Sequence, residues 1–353
     1  MGCYIFLVEI IIVALIFNST SGKIAFKKLE KLKVDPKSVT VTGFSSGGAQ
    51  AMQFHLAHSS RLIGAGIFSG VPYLYGFGRK REDFFVNDIE RFNTTEAIQA
   101  TETYSIVGAI DPVEYLKNSR VYVYHGNKDS TVEPGSGVAI EDIYKHFSPN
   151  MLCNINVLEG EHGMPTDNYG GPCGRLNLAN YMVNNCKYNG VYEMYNHLYG
   201  GNLTQPIQGS VGTVPLKGEF YQFDQSEFYV GGTPHSMDKV GFVYIPSDCE
   251  KKTCRLSFVF HGCLQNRQYF GDKFPRTTGY LEVAELNDII QVYPQTARSR
   301  GNPRNPSGCW DWMGFTGEDY RKLSYVKILY SLLLPSLVSS LNFAIPNYVI
   351  FFI

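Results

Sequence analysis

The eight residues VTGFSSGG, 41 to 48, constrain the fold of this chain more tightly than any other stretch. A run of alternating strand-forming residues, DPKSVTVTG, stops at Gly43, and SSGGAQAMQFHLAH then has helix-forming composition without proline. Passing from strand to helix over so few residues demands a tight turn that presses backbone against backbone, and the glycines around Ser45 permit it. Gly43-Phe44-Ser45-Ser46-Gly47 therefore reads as a G-x-S-x-G turn. Such a turn lifts the serine off the sheet edge, with the first N–H groups of the helix behind it to meet an oxyanion. An ordinary serine in a glycine-rich loop is the bland alternative, and the placement between strand and helix argues against it.

The alternation continues downstream. RLIGAGIFSG and VYVYH (121–125) have strand character, INVLEGEHG is a strand running into a loop, and NGVYEMYNHLYG reads as a helix. A Gly/Pro-rich joint at about 200–218 leads to three further strands of the same kind, VGFVYIP, RLSFVFHG and DIIQVYPQ. Strands alternating with helices predict an α/β fold with a mostly parallel sheet covered by helices on both faces. A single catalytic domain over residues 23–320 accommodates all of these elements.

A serine nucleophile needs a base and an acid that orients it, and in folds with this turn the chain order is Ser, Asp, His. Asp129 follows the strand VYVYH in the loop GNKDSTVEP, and His162 follows the next strand in EGEHG. Taken singly, these would be a turn aspartate and a solvated loop histidine; their order and their places at strand ends make them the expected acid and base. His125 is a competing base, read here as supporting the site, and Asp167 is a competing acid that falls after the histidine. A second oxyanion donor comes from a loop after a strand that precedes the nucleophile. Too little chain lies before Ser45 to supply it, and the matching segment, RLSFVFHGCLQN, comes long after. Circular permutation is the simplest resolution: the strands that normally open the domain here close it, joined through residues 200–218.

Together VDPKSVTVTGFSSGGAQAM, VYVYHGNKDSTVEP, FDQSEF, SMDKVGFVYIPSDC, FVFHGCLQN and NPSGCWDW resemble the poly(3-hydroxybutyrate) depolymerases, most of all the circularly permuted, single-domain fungal-type enzymes with an α/β-hydrolase fold. The resemblance covers roughly residues 30 to 320. It implies a triad of Ser45, Asp129 and His162, and oxyanion donors at the N–H groups of Ser46 and Cys263. It also implies a substrate-binding tryptophan at Trp310, polyesters of short hydroxyalkanoates as substrate, and no cofactor or metal. The closing helix that the resemblance implies beyond Tyr320 is replaced here by an apolar tail, 321–353, and no polymer-binding domain is present in the sequence. Both HGC and GCW belong at the crevice rim on this reading, so a Cys263–Cys309 disulfide is expected. Cys249–Cys254 and Cys173–Cys186 are expected as further pairs, with Cys153 left free. A feruloyl or acetyl esterase acting on plant polysaccharide, and an inactive hydrolase fold serving as a binding module, are the alternatives.

The remaining features concern location and partners. Net charge is −1 and no long basic run occurs, which argues against nucleic acid as a partner. The stretch MGCYIFLVEIIIVALIFNSTSG reads as a signal peptide or signal anchor, residues 1–22. No CxxC pair or His/Cys cluster has zinc-site spacing, so the eight cysteines favour disulfides and export. Asn93 and Asn202 head candidate glycosylation triplets. Residues 328–353 carry no charge and are long enough to cross a bilayer, although Pro335 and Pro346 would interrupt a helix. The expectation is a secreted monomer, with membrane association through either apolar end as an option.

Overall fold

In the computed structural model, residues 26–76, 88–155, 159–228 and 235–317 are described, so the N-terminal apolar segment and the C-terminal tail both lie outside them. A short strand, β1 (Lys27–Lys28), precedes β2 (Val34–Phe44), which runs straight into α1 (Ser46–Ala57). Next come β3 (Gly64–Phe68), α2 (Thr94–Ile106), β4 (Arg120–His125), α3 (Gly135–Phe147) and β5 (Met151–Ile155). Three short strands, β6 (Met164–Thr166), β7 (Gly171–Pro172) and β8 (Val183–Asn185), form a small sheet of their own, followed by α4 (Gly190–Leu198). The last third carries β9 (Glu219–Asp224), β10 (Val240–Ile245), β11 (Cys254–Phe260), α5 (Arg267–Phe270), α6 (Lys273–Thr277), α7 (Tyr280–Asn287) and β12 (Ile289–Tyr293).

The main sheet has nine strands in the order β1-β9-β10-β12-β11-β2-β3-β4-β5. β11 lies parallel to β2, with Phe260 opposite Gly43, so the late strand ending in HGC sits directly beside the strand that ends at Ser45. This is the permuted arrangement expected from the sequence: the late strands β9 to β12 fill one half of the sheet and β2 to β5 the other, with the short β1 at the outer edge beside β9. The sheet is mostly parallel, with one correction. β10 runs antiparallel to both of its neighbours, β9 and β12, whereas the sequence reading took it as another strand of the same kind. Among the described residues between β9 and β10 there is no helix of regular length, and a parallel pair would need a crossover of a dozen or more residues, usually helical.

Strand alternation sorts the core onto two faces. In β4, Val121 and Val123 join the cluster that includes Ile140, Ile143 and Tyr144 of α3, while Tyr122 and Tyr124 face Val191, Met194 and Tyr195 of α4. Phe54 of α1 packs with Val39, Val41, Phe258 and Phe260 on the first face, and Tyr280 and Leu281 of α7 cover the second. That second face buries hydroxyls, and it pairs several of them: Thr42 with Tyr280 at 2.9 Å and Tyr195 with Ser257 at 2.8 Å. An unpaired buried hydroxyl would cost about 1–3 kcal/mol.

Three disulfides staple the surface, in the expected pairings: Cys173–Cys186, Cys249–Cys254 and Cys263–Cys309. Cys153 lies in β5, and its side chain is outside those described. Asn93 is the N-cap of α2, its amide oxygen accepting from the Glu96 N–H and its Nδ2 donating to Glu96 Oε1; such a cap contributes about 1 kcal/mol. Asn202 is exposed, in the irregular joint between α4 and β9. Among the described residues, no helix is long and apolar enough to cross a membrane.

Candidate active site

Ser45 occupies the step between β2 and α1 with φ 57° and ψ −122°, backbone angles that L residues adopt only under constraint. Its neighbours supply that constraint. The Ser45 N–H donates to the carbonyl of Phe68 on β3 at 2.9 Å. A Cβ on Gly43 would strike the Gly47 carbonyl, and one on Gly47 would strike the carbonyls of Phe260 and His261 at the end of β11. Both glycines of the motif are therefore required by close backbone approach, from within the turn and from the neighbouring strand.

The loops after β4 and β5 deliver the other two residues. His162 Nε2 stands 3.0 Å from Ser45 Oγ, and its Nδ1 stands 2.8 Å from Asp129 Oδ2. Because a carboxylate only accepts, the proton sits on Nδ1 and the Nε2 lone pair faces the serine hydroxyl. Asp129 Oδ1 accepts the N–H groups of Thr131 and Val132, which closes the loop around it. Burial pushes the Asp129 carboxyl upward, but the hydrogen bond and charge of His162, the nearby His125 and the Val132 N–H outweigh it and hold it below the ordinary carboxylate value.

The competing candidates have other roles. His125 Nε2–H donates to the Val132 carbonyl at 2.8 Å and lies 3.5 Å from Asp129 Oδ2; it is fully buried and bonds to the acid's loop rather than to Ser45. Burial pushes its imidazole down, against the pull of Asp129 and the Val132 carbonyl. Asp167 is engaged by the N–H and hydroxyl of Ser210.

Ser46 is the first residue of α1, where backbone N–H groups have no intrahelical partner. Cys263 lies in the turn after β11, and both line the same cleft as Ser45 and His162. The peptide joining Gly262 to Cys263 is held through its carbonyl, which accepts from His261 Nδ1–H at 2.8 Å. The N–H of Thr296 donates to His261 Nε2 at 3.3 Å, which fixes the tautomer, and burial pushes that imidazole down to about 4. A planar trans peptide points its N–H opposite its C=O, so this bond also aims the Cys263 N–H. Among the described residues that N–H has no protein acceptor.

The cleft holds about 310 Å³, and its walls are apolar: Val71, Leu176, Leu178, Met182, Leu264 and Trp312. Trp310, the tryptophan expected there, is not on the cleft. It is only 3% exposed, packs edge-on against Phe260 with centroids 4.9 Å apart, and belongs to the core beside β11. The cause is Asp311, whose carboxylate collects the N–H groups of Met313, Gly314, Phe315 and Thr316, turning the chain so that Trp312 reaches the cleft.

Sequence reasoning also missed Glu161. Its Oε1 accepts the N–H groups of Ser130 and His162 at 2.7 and 2.8 Å, tying the acid loop to the base loop. An acid directly before the expected base in EGEHG was the available signal. Leu176 and Leu178, which are 44% and 52% exposed at the rim, carried no signal at all.

A hydroxyl facing an imidazole lone pair, a buried carboxylate on the far nitrogen and two N–H donors over an apolar cleft form an apparatus for acyl transfer through a serine ester. No family model matches the chain. It is 35% identical over 309 residues to a poly(3-hydroxybutyrate) depolymerase from Delftia acidovorans, across 84% of this chain and 58% of that protein. It is 28% identical over 321 residues to a polyhydroxybutyrate depolymerase from Talaromyces funiculosus, across 87% and 91% respectively. The chain thus spans somewhat more than half of the first relative and nearly all of the second. Among solved structures, a PHB depolymerase complexed with an R3HB trimer matches with a TM-score of 0.79 at 27% identity, covering 89% of this chain and 99% of that one. The PHB depolymerase from Penicillium funiculosum matches with a TM-score of 0.75 at 27% identity, over 86% and 95%.

Proposed function

We infer, since the chain belongs to the poly(3-hydroxybutyrate) depolymerase family with its α/β-hydrolase fold, that it is a serine esterase cleaving short-chain hydroxyalkanoate polyesters or their oligomers. The observation that carries the reading is the continuous line of contacts from Ser45 Oγ through His162 to Asp129 at the floor of an apolar cleft. In the proposed reaction His162 Nε2 takes the Ser45 proton as Oγ attacks the ester carbonyl carbon. The oxyanion forms between the N–H groups of Ser46 and Cys263, and each such donor contributes about 3–4 kcal/mol. His162 then passes the proton to the departing alcohol, leaving an acyl-serine. Water, deprotonated by the same imidazole, releases the hydroxyacid. Asp129, held ionised, fixes the tautomer and stabilises the imidazolium throughout.

Trp312, rather than Trp310, is the wall proposed to meet the methyl groups and backbone of the polyester. The three disulfides support action outside the cell, and export as a monomer, with an apolar terminus as an optional membrane tether, completes the proposal. Purified protein should hydrolyse 3-hydroxybutyrate trimer and short-chain nitrophenyl esters, with little action on long-chain triglycerides, and Ser45→Ala should do neither. Hydrolysis of feruloyl esters with none of the trimer would move the substrate to plant polysaccharide.

A further inference from the structure

Gln265 is a buried amide, 1% exposed, that belongs to neither the triad nor the donor pair. Its Oε1 accepts the Gly262 N–H at 2.8 Å, and its Nε2 donates to the Tyr181 carbonyl at 2.7 Å. These partners leave no freedom to flip the amide: a reversed side chain would set donor against donor at Gly262 and acceptor against acceptor at Tyr181. Each arm meets a segment with strained backbone. On one side, Leu264 adopts φ 63° immediately after Cys263, a conformation that costs an L residue about 1–2 kcal/mol. On the other side, Tyr181 and Met182 adopt φ 58° and 55° in succession. Those two residues lie in the loop closed by Cys173–Cys186, which supplies Leu176, Leu178 and Met182 to the cleft wall.

The two segments lie far apart in the chain, and the side chain of Gln265 ties the turn carrying the Cys263 N–H to the loop carrying the apolar wall. We propose that Gln265 is a positioning residue with two separable arms: Oε1 sets the oxyanion turn, and Nε2 sets the wall against it. This rests on the hydrolase reading above. The arms make different predictions, because the oxyanion donor acts on the transition state while the wall acts on substrate binding.

The test uses the purified chain, with the reactive serine counted by a fluorophosphonate label so that kcat refers to folded sites only. A merely structural role would lower the labelled fraction and leave turnover per labelled serine unchanged. In Gln265→Leu both arms are lost, and kcat per labelled serine on nitrophenyl butyrate should fall about 10- to 100-fold with KM within about twofold, since a displaced donor costs rate on this scale. Gln265→Glu keeps an acceptor for Gly262 but no donor for Tyr181. Its kcat should stay within about threefold of the parent, while KM for 3-hydroxybutyrate trimer rises about tenfold. Unchanged kcat per labelled serine in Gln265→Leu would overturn the proposal, as would a loss in Gln265→Glu equal to that in Gln265→Leu. If Gln265→Leu fails to fold, the kcat and KM of Gln265→Glu decide alone. A parent protein that turns over neither ester would overturn the hydrolase reading itself, whereas an active parent with indifferent variants would overturn only the role of Gln265.

Discussion

On the floor of the cleft each reactive group is fixed by a partner. Ser45 N–H bonds to Phe68, both nitrogens of His162 are engaged, Asp129 is used through both oxygens, and the Cys263 turn is held by His261, Gln265, Ser307 and a disulfide. The walls are different: Leu176 and Leu178 project half-exposed from a loop, and Trp312 is presented by a turn wound around Asp311. The floor is thus built from directional bonds on strand ends, and the walls from apolar surface on loops. A reaction requires atoms within tenths of an ångström, whereas recognition of an aliphatic ester requires only contact and exclusion of water. The contrast teaches that damage to the floor should cost rate on every substrate, and damage to the walls should cost binding only on substrates long enough to touch them.

The largest effects should come from the floor. Ser45→Ala and His162→Ala should each lower kcat by about 10⁵-fold or more on any ester, and Asp129→Asn by about 10⁴-fold, with circular dichroism unchanged. His125→Ala should retain turnover well above these; if it abolished activity while His162→Ala did not, the base would have been misassigned. The two tryptophans then divide stability from binding. Trp310→Ala should destabilise the fold by about 3–5 kcal/mol in denaturant unfolding. Trp312→Ala, at a half-buried ring, should cost less stability than Trp310→Ala and raise KM for hydroxybutyrate trimer about tenfold, with a two-carbon nitrophenyl ester unaffected. Equal losses on both esters would erase the distinction between wall and floor.

The smallest expected effect is on acid stability. The Asp129 carboxyl lies below its ordinary value in the folded protein, so its contribution is full above that ordinary value and is lost as the pH falls through the lower folded-state value. Asp129→Asn should remove that part of the acid-side slope in unfolding free energy, measured by denaturant titration at a series of pH values.

Most of the floor was legible in the sequence because it follows from local rules. A G-x-S-x-G between strand and helix admits one geometry, and the acid and base must occupy ends of later parallel strands, which places Asp129 and His162. The partnership of β11 with β2 was legible too, since HGC matched the second oxyanion loop and that loop must act beside the nucleophile. The walls were not legible. Trp310 and Trp312 differ by two positions in one motif, and in a strand they would share a face; only the backbone N–H groups gathered by Asp311 separate them. Leu176 lies in a loop and Leu178 opens a single three-residue 3-10 turn, too short to leave a periodicity to read. Glu161 left one signal, the acid directly before the base in EGEHG, whereas the bond from Gln265 to the distant Tyr181 carbonyl leaves no pattern in composition or spacing. β10 was misread in direction because its apolar run is the same whichever way it lies in the sheet.

The central claim is that Ser45 becomes acylated, with His162 as its base. It is tested most directly by mixing the purified protein with nitrophenyl butyrate, quenching in acid within the first turnovers and mapping the peptides by mass spectrometry. The account predicts a butyryl group on Ser45 that is absent in His162→Ala. Release of nitrophenol with no acyl group on Ser45, or with the group on another residue, would contradict it.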